Sequence, residues 1–184
     1  MISDFVKRLI FARQFSLIDG KIEILGQKHI MLSNDAVLEL QNIDQSKIYS
    51  IIKTSTLKNL ELMHAKAYKA LKEVSFADIS EFGKKLGSSL GGVLKNIEEI
   101  YQVYGLGKLQ VVDLDNDKKQ AVIRVYESPI AQASLKQGKS KTHACTINAA
   151  VLAGMFSYLF NKKIDCVETR CLAKGNSFCE FICK

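Results

Sequence analysis

Apolar positions change their spacing repeatedly along the chain, and each change predicts a new element. Over Met1 to Arg13, Ile2, Phe5, Val6, Leu9 and Ile10 recur at helical intervals and form a stripe with no core partner of its own. Phe15 to Ile18 and Lys21 to Leu25 flank Asp19-Gly20 and predict a small hairpin, with His29 to Leu32 as a further short strand. Asn34-Asp35 starts a short helix to about Leu40. From Ile48 to Val74, Ile52, Leu60, Met63, Ala67 and Leu71 share one face of a long helix. Asp78 opens the next, in which Phe82, Leu86, Leu90, Val93, Ile97, Ile100 and Tyr104 keep the stripe. After Gly105-Leu106-Gly107, Lys108 to Asp113 and Ala121 to Tyr126 predict a hairpin around Asp115-Asn116-Asp117. Ser128-Pro129 breaks the second strand, and Lys136 to Lys141 reads as a mobile basic loop. Thr142 is placed as the N-cap of a helix over His143 to Phe160, which sets Cys145 in its first turn. The β-prone runs Ile164 to Arg170 and Ser177 to Ile182 close the chain around Gly175-Asn176.

This order of helices and hairpins predicts an α+β fold, an antiparallel sheet packed against helices. The 184 residues, 47% of them apolar, suit one domain. Residues 1–45 form its N-terminal helix and hairpin segment, and residues 46–184 a core that carries the chemistry. The net charge of +7 is dispersed along the chain and reads as solvated surface, so nucleic acid is not an expected partner. The uncharged stretch between Lys141 and Lys162 approaches the length of a bilayer span. Thr142, His143, Thr146, Asn148, Ser157, Tyr158 and Asn161 make it too polar for one, and a buried core helix is expected instead. An odd number of cysteines, and an N-terminus whose apolar run is interrupted by Asp4, Lys7 and Arg8, point to a reducing, cytoplasmic setting.

The densest chemistry lies at the C-terminus. Cys145 precedes the segment Glu168-Thr169-Arg170-Cys171, and Cys179 follows after Leu172-Ala173-Lys174-Gly175-Asn176-Ser177-Phe178. Three thiols and a carboxylate can close a tetrahedral site, and zinc is the natural occupant. A helix N-terminus stabilises an anion and would favour the Cys145 thiolate. Lys141, Arg170 and Lys174 are near enough in sequence to offset the surplus negative charge. The plainer alternative treats the cysteines as small buried hydrophobes, and Cys-x7-Cys is looser than the paired spacing of familiar zinc folds.

The segment from Cys166 to Phe181 resembles the C-terminal signature of the 4-vinyl reductase domain family, which includes the zinc-containing sensor domain of bacterial activators of aromatic catabolism. The resemblance implies metal ligation by Cys145, Glu168, Cys171 and Cys179, with the family's intervals kept. It implies the same α+β architecture, shared with ligand-binding domains of nitric-oxide sensing and with Golgi-transport subunits. It also implies that Ala149 and Cys166 approach a bound ligand. The opening Gly20 to Gly26, Met31-Leu32 and Ala36 to Leu40 is similar to the start of the aromatic sensors. Those sensors hold a phenol hydroxyl with a His and a Trp. This chain has no Trp and no His between His64 and His143, so a fully apolar or larger ligand is expected.

Remaining features add less. His29 and His64 read as packing histidines. Gly83, Gly87, Gly91 and Gly92 each cost about 1 kcal/mol against alanine in a helix interior, and imply either close approach of a neighbouring helix or room for a ligand. Asp113, Asp115 and Asp117 lack the later Gly and Glu of a calcium loop and read as a polar turn. No catalytic constellation emerges. The expectation is therefore a zinc-containing binding module for a small hydrophobic molecule, sensory or regulatory, and a homodimer through the Met1 to Arg13 stripe. The alternatives are an enzyme or accessory in tetrapyrrole vinyl reduction, for which no nicotinamide or flavin fingerprint is visible, and a scaffold resembling the transport subunits.

Overall fold

Inward-facing positions on two neighbouring strands and one apolar helix build the core. The computed structural model describes residues 15–24, 27–72, 90–138 and 143–184. The expected first helix, Met1 to Arg13, lies outside these residues, as do Gly83, Gly87, Lys141, Thr142 and the expected helix start at Asp78.

Strands β1 (Phe15–Ile18), β2 (Lys21–Ile24) and β3 (Gln27–His29) form a three-stranded antiparallel sheet in chain order. Helix α1 (Asn34–Ile43) is N-capped by Ser33, whose hydroxyl accepts from the Ala36 amide at 3.3 Å. Helices α2 (Gln45–Lys72) and α3 (Leu90–Val103) follow the long apolar stripes, and Gly91-Gly92 lies in the first turn of α3. Strands β4 (Lys108–Asp115) and β5 (Gln120–Tyr126) pair as the expected hairpin, and the Asp115 carboxylate accepts from the amides of Asp117 and Lys118. That turn is the polar one expected.

A helix absent from the sequence reading comes next. Ser128-Pro129 does end β5, but it also opens α4 (Pro129–Lys136), with Ser128 as N-cap and Pro129 in the first turn. Serine before proline is a helix-start signal as well as a strand breaker. Helix α5 (Thr146–Phe160) begins at Thr146, three residues after the expected His143, and Cys145 is its N-cap. Strands β6 (Cys166–Arg170) and β7 (Cys179–Cys183) complete a four-stranded antiparallel sheet in the order β4-β5-β7-β6, joined to each other through a 3-10 turn at Leu172–Lys174.

Strand alternation sorts this sheet. Ala121, Ile123 and Val125 of β5 and Cys179, Phe181 and Cys183 of β7 are buried at alternate positions. They join Leu152, Ala153 and Phe156 of α5 in one cluster with Tyr101 of α3. Helix α5 has apolar residues around its circumference because other elements surround it: α2 on one side, β6 and β7 on another. Leu38 of α1 packs with Ile130 and Ala133 of α4 in a smaller cluster. No helix among the described residues is long and apolar enough to cross a membrane. His29 packs against Tyr104 with ring centroids 5.5 Å apart, but its buried Nε2 has no hydrogen-bond partner, so it is a packing histidine without being a satisfied one.

Helix α2 approaches α5 most closely at Gly154. A Cβ there would lie 2.7 Å from Thr56 Cβ and 2.8 Å from the Lys53 carbonyl, and a backbone atom cannot give way as a flexible side-chain end can. Gly154→Ala is expected to destabilise the fold by about 1–3 kcal/mol through overpacking, despite alanine's better helix propensity. Denaturant unfolding with an unchanged m-value checks this, and a stabilised variant would contradict the packing assigned to the α2–α5 contact.

Candidate metal centre

The four residues singled out from the sequence converge. Cys145 Sγ lies 3.6 Å from Cys179 Sγ and 4.0 Å from Cys171 Sγ, and Cys171 and Cys179 are 4.0 Å apart. With one carboxylate oxygen of Glu168, the ligand atoms all lie within 4.8 Å of one another, and all four residues are buried. Zinc–sulfur bonds of about 2.3 Å in a tetrahedron set sulfurs roughly 3.8 Å apart, so the observed triangle fits such an ion. The carboxylate is also prepared: Glu168 Oε2 accepts from the Cys145 amide at 3.1 Å, while Oε1 is buried with no hydrogen-bond partner. A buried orphan oxygen is costly unless something fills its lone pairs.

Each residue is aimed by its element. Cys145 sits at the N-cap of α5 but makes no capping bond with its thiol, which faces the cluster. The free N-terminal amides of α5 still favour negative charge there. Glu168 is on the inward side of β6, opposite Phe181 of β7. Cys171 follows β6 after a register irregularity between Glu168 and Arg170, and its carbonyl accepts from Lys174 N at 3.0 Å and from the Asn176 side chain at 3.0 Å. Cys179 opens β7, and its sulfur accepts from the Leu172 amide at 3.3 Å.

Electrostatics show what this crowding does to protons. Hydrogen bonds from Cys145 and Cys179 hold the Cys171 thiol far below its ordinary value. Cys145 is pushed well above it by the same contacts from the other side, aided by burial. For Cys179 the bond with Cys145 pulls down, but the bond with Cys171 and burial outweigh it and the net direction is up. Burial, then the hydrogen bond and charge of Cys171, raise the Glu168 carboxyl to about 8. One negative charge is thus shared by a cluster that has donor atoms for four, and a divalent cation is what would let the remainder ionise.

The expected charge compensation differs. Arg170 turns away to Glu180, Nε to Oε1 3.6 Å, and lies over the Phe178 ring with Arg124. On a strand, Arg170 falls on the face opposite Glu168, and that parity decides its partner. Compensation near the cluster comes from backbone amides and the start of α5.

Of the two expected ligand-facing positions, Ala149 lies one turn along α5 from Cys145, its amide bonded to the Cys145 carbonyl at 3.0 Å, and is buried. Cys166 is buried on β6 and joined to Cys183 in a disulfide, while Cys145, Cys171 and Cys179 are free. The odd cysteine count therefore resolves into one pair and one triad, a division not foreseen from the sequence. Cys183 is not at a frayed terminus: it is fully buried in β7 and pairs with both Ala121 and Cys166.

Several supporting residues were not legible from spacing. Gln41 of α1, fully buried, donates its side-chain amide to the Ala144 carbonyl and accepts from the Ile147 amide at 3.3 Å, bracketing Cys145 from both sides. Asn148 donates to the Tyr101 hydroxyl at 2.6 Å and to the Leu106 carbonyl at 3.1 Å, leaving its Oδ1 without a partner. Tyr101 is pushed well above its ordinary value by burial and by the neighbouring Cys145.

A four-stranded antiparallel sheet under a buried helix, with three cysteines and a glutamate gathered at the helix start, defines an α+β domain with a built candidate metal centre. The chain carries a 4-vinyl reductase domain: residues 121–184 match that family's model, and they contain the whole cluster. Two uncharacterized proteins of Methanocaldococcus jannaschii are similar in sequence. One is 36% identical over 103 residues, 54% of this chain, and the other 25% identical over 115 residues, 59% of this chain. The matched stretches span 58% and 64% of those relatives' own lengths. The fold is that of the phenol-responsive sensory domain of the transcription activator PoxR, with a TM-score of 0.72, all of this chain and 91% of that one covered, and 16% sequence identity.

Gln41→Leu conserves approximate volume but orphans the Ala144 carbonyl and the Ile147 amide. Leaving buried backbone groups unpaired costs about 1–3 kcal/mol each. The expected outcome is a stability loss of about 2–4 kcal/mol in chemical denaturation, and a loss under about 0.5 kcal/mol would show that Gln41 does not hold the start of α5.

Proposed function

We propose that the protein is a zinc-containing binding module for a small hydrophobic molecule, with a sensory or regulatory role in the cytoplasm. The observation that carries this reading is the buried Cys145, Glu168, Cys171 and Cys179 cluster, whose sulfur separations of 3.6–4.0 Å suit one tetrahedral ion. The fold shared with a phenol-responsive sensory domain supports a ligand-binding role. Four protein ligands close the coordination sphere, so the ion's chemistry is structural: it neutralises the thiolates and ties the start of α5 to the ends of β6 and β7. Ala149, on the helix one turn beyond the clamp, and Cys166, on the strand two residues before Glu168, are read as approaching the ligand. The absence of Trp and of any His between His64 and His143 favours an apolar ligand over a phenol.

Elemental analysis after gel filtration is expected to give one zinc per chain. Less than half an equivalent would defeat the metal assignment. Cys171→Ser should lower the melting temperature by roughly 5–10 °C, about 2–3 kcal/mol for a chain of this size. It should also weaken binding of a hydrophobic fluorescent probe, because one clamp shapes both fold and pocket wall. Loss of probe binding with an unchanged melting temperature, or a water bound directly to the metal, would instead favour a reactive ion and the vinyl-reduction reading.

We also read the protein as a homodimer. Ile30, Met31 and Ile43, on the β3–α1 connection and at the end of α1, are 82%, 83% and 79% exposed, and large apolar residues at such exposure favour a covering partner. Light scattering at micromolar concentration should return twice the chain mass, and a clean monomer would refute this.

A further inference from the structure

Ser128 has a proton and nowhere ordinary to place it. The residue is fully buried, and its Oγ accepts from the Ala131 amide at 3.4 Å as the N-cap of α4. That bond uses a lone pair and leaves the O–H free to donate. The partner the structure gives it is Cys145 Sγ, 3.6 Å away.

The backbone takes unusual steps to bring it there. Glu127, immediately before, has φ +55°, a left-handed conformation that residues other than glycine adopt at a cost. Gly107, with φ +109°, lies against the same corner: a Cβ there would come within 2.8 Å of the Tyr126 carbonyl and 3.2 Å of Ser128 Cα. Two strained or glycine-dependent positions thus converge on one hydroxyl. An N-cap alone requires neither, since it needs extended backbone and an oxygen.

The other two sulfurs already have backbone donors. Cys179 Sγ takes the Leu172 amide at 3.3 Å, and Cys171 is hydrogen-bonded by the backbone of Ala144. The Cys145 amide is spent on Glu168, so this sulfur has no such donor among the described residues. We propose that Ser128 is a positioning residue of the metal centre, which donates its hydroxyl to the Cys145 sulfur and so gives the third thiolate the hydrogen bond that the backbone supplies to the other two. This rests on the metal reading above. Donation to a coordinated thiolate withdraws electron density from sulfur, fixes the direction of its lone pairs and stabilises the anion against reprotonation.

Cobalt(II) substitution tests the assignment without reference to any activity. Its sulfur-to-cobalt charge-transfer bands report thiolate electron density, and titration against a chromophoric chelator reports affinity. Ser128→Ala and Ser128→Gly remove the hydroxyl, and glycine is itself a tolerated N-cap, so the second variant keeps the test open should the first fail to fold. Both are expected to shift the charge-transfer band to lower energy and to weaken cobalt binding roughly tenfold, within the range of outer-shell substitutions. Ser128→Thr, which retains donor and cap, should restore both. A role confined to capping α4 would change stability and leave the band in place. Hydroxyl-free variants that bind one cobalt with an unshifted band and affinity within about twofold would overturn the proposal while leaving the metal centre standing. A wild-type chain that takes up neither cobalt nor zinc would overturn both.

Discussion

Mutual repulsion among four potential anions in a buried space is the constraint on which this structure turns. Packing alone does not explain why three cysteine sulfurs and a carboxylate should share one spot. Apolar side chains of the same size would fill it with no charge to solvate. The arrangement makes sense when a cation supplies the missing attraction, and the raised Glu168 and Cys145 beside a depressed Cys171 are what such a site does with its protons when it must balance charge internally. Interior polar groups of this kind are costly when half-satisfied and firm when fully satisfied. The proposed ion decides which description holds.

Around that point the fold is layered by how each element reaches the cluster. Helix α5 contributes its start, β6 its inward Glu168, the turn after it Cys171, and β7 its first residue. Helices α1 and α4 contribute no ligand, but Gln41 and Ser128 press on Cys145 from opposite flanks. The far end of the same strand pair is held separately, by the Cys166–Cys183 disulfide and by Tyr49 of α2, whose hydroxyl accepts from the Cys166 amide at 2.9 Å and donates to Asp165 at 3.2 Å. Lys53 adds an ion pair with Asp165, a partly exposed contact of small energetic weight.

Much of this was legible in the sequence where periodicity was strong. The β4–β5 hairpin, the β6 and β7 runs and the buried character of α5 follow from spacing and turn residues, and the α+β class follows from their order. The cluster was legible because four reactive side chains at family intervals carry more information than any apolar run. What escaped had physical reasons. Helix α4 is short and opens with Ser-Pro, a pair whose strand-breaking meaning was weighed and whose helix-starting meaning was not. The start of α5 falls at Thr146 and not at His143, because its N-cap position is held by a cysteine whose thiol is required elsewhere, although Thr142 is the better capping residue by type. Arg170 was assigned by nearness in sequence, although alternation along a strand sends it to the opposite face. Gln41 and Ser128 act across long sequence separations, and no local pattern reports a tertiary hydrogen bond.

The alternation of β7 has a consequence for how this chain tolerates change in length. Cys179, Phe181 and Cys183 all point inward because they are spaced by even numbers, and Cys166 and Glu168 do so on β6 for the same reason. A single residue gained or lost inside either strand would reverse every side chain beyond it, exposing a sulfur and burying a charge such as Glu180. The arc between Cys171 and Cys179 is under no such parity, because its residues form a 3-10 turn and a loop whose ends alone are fixed. Length variation in this C-terminal unit should therefore collect in that arc, with the spacing within each strand held to even steps as strictly as the identity of the ligands.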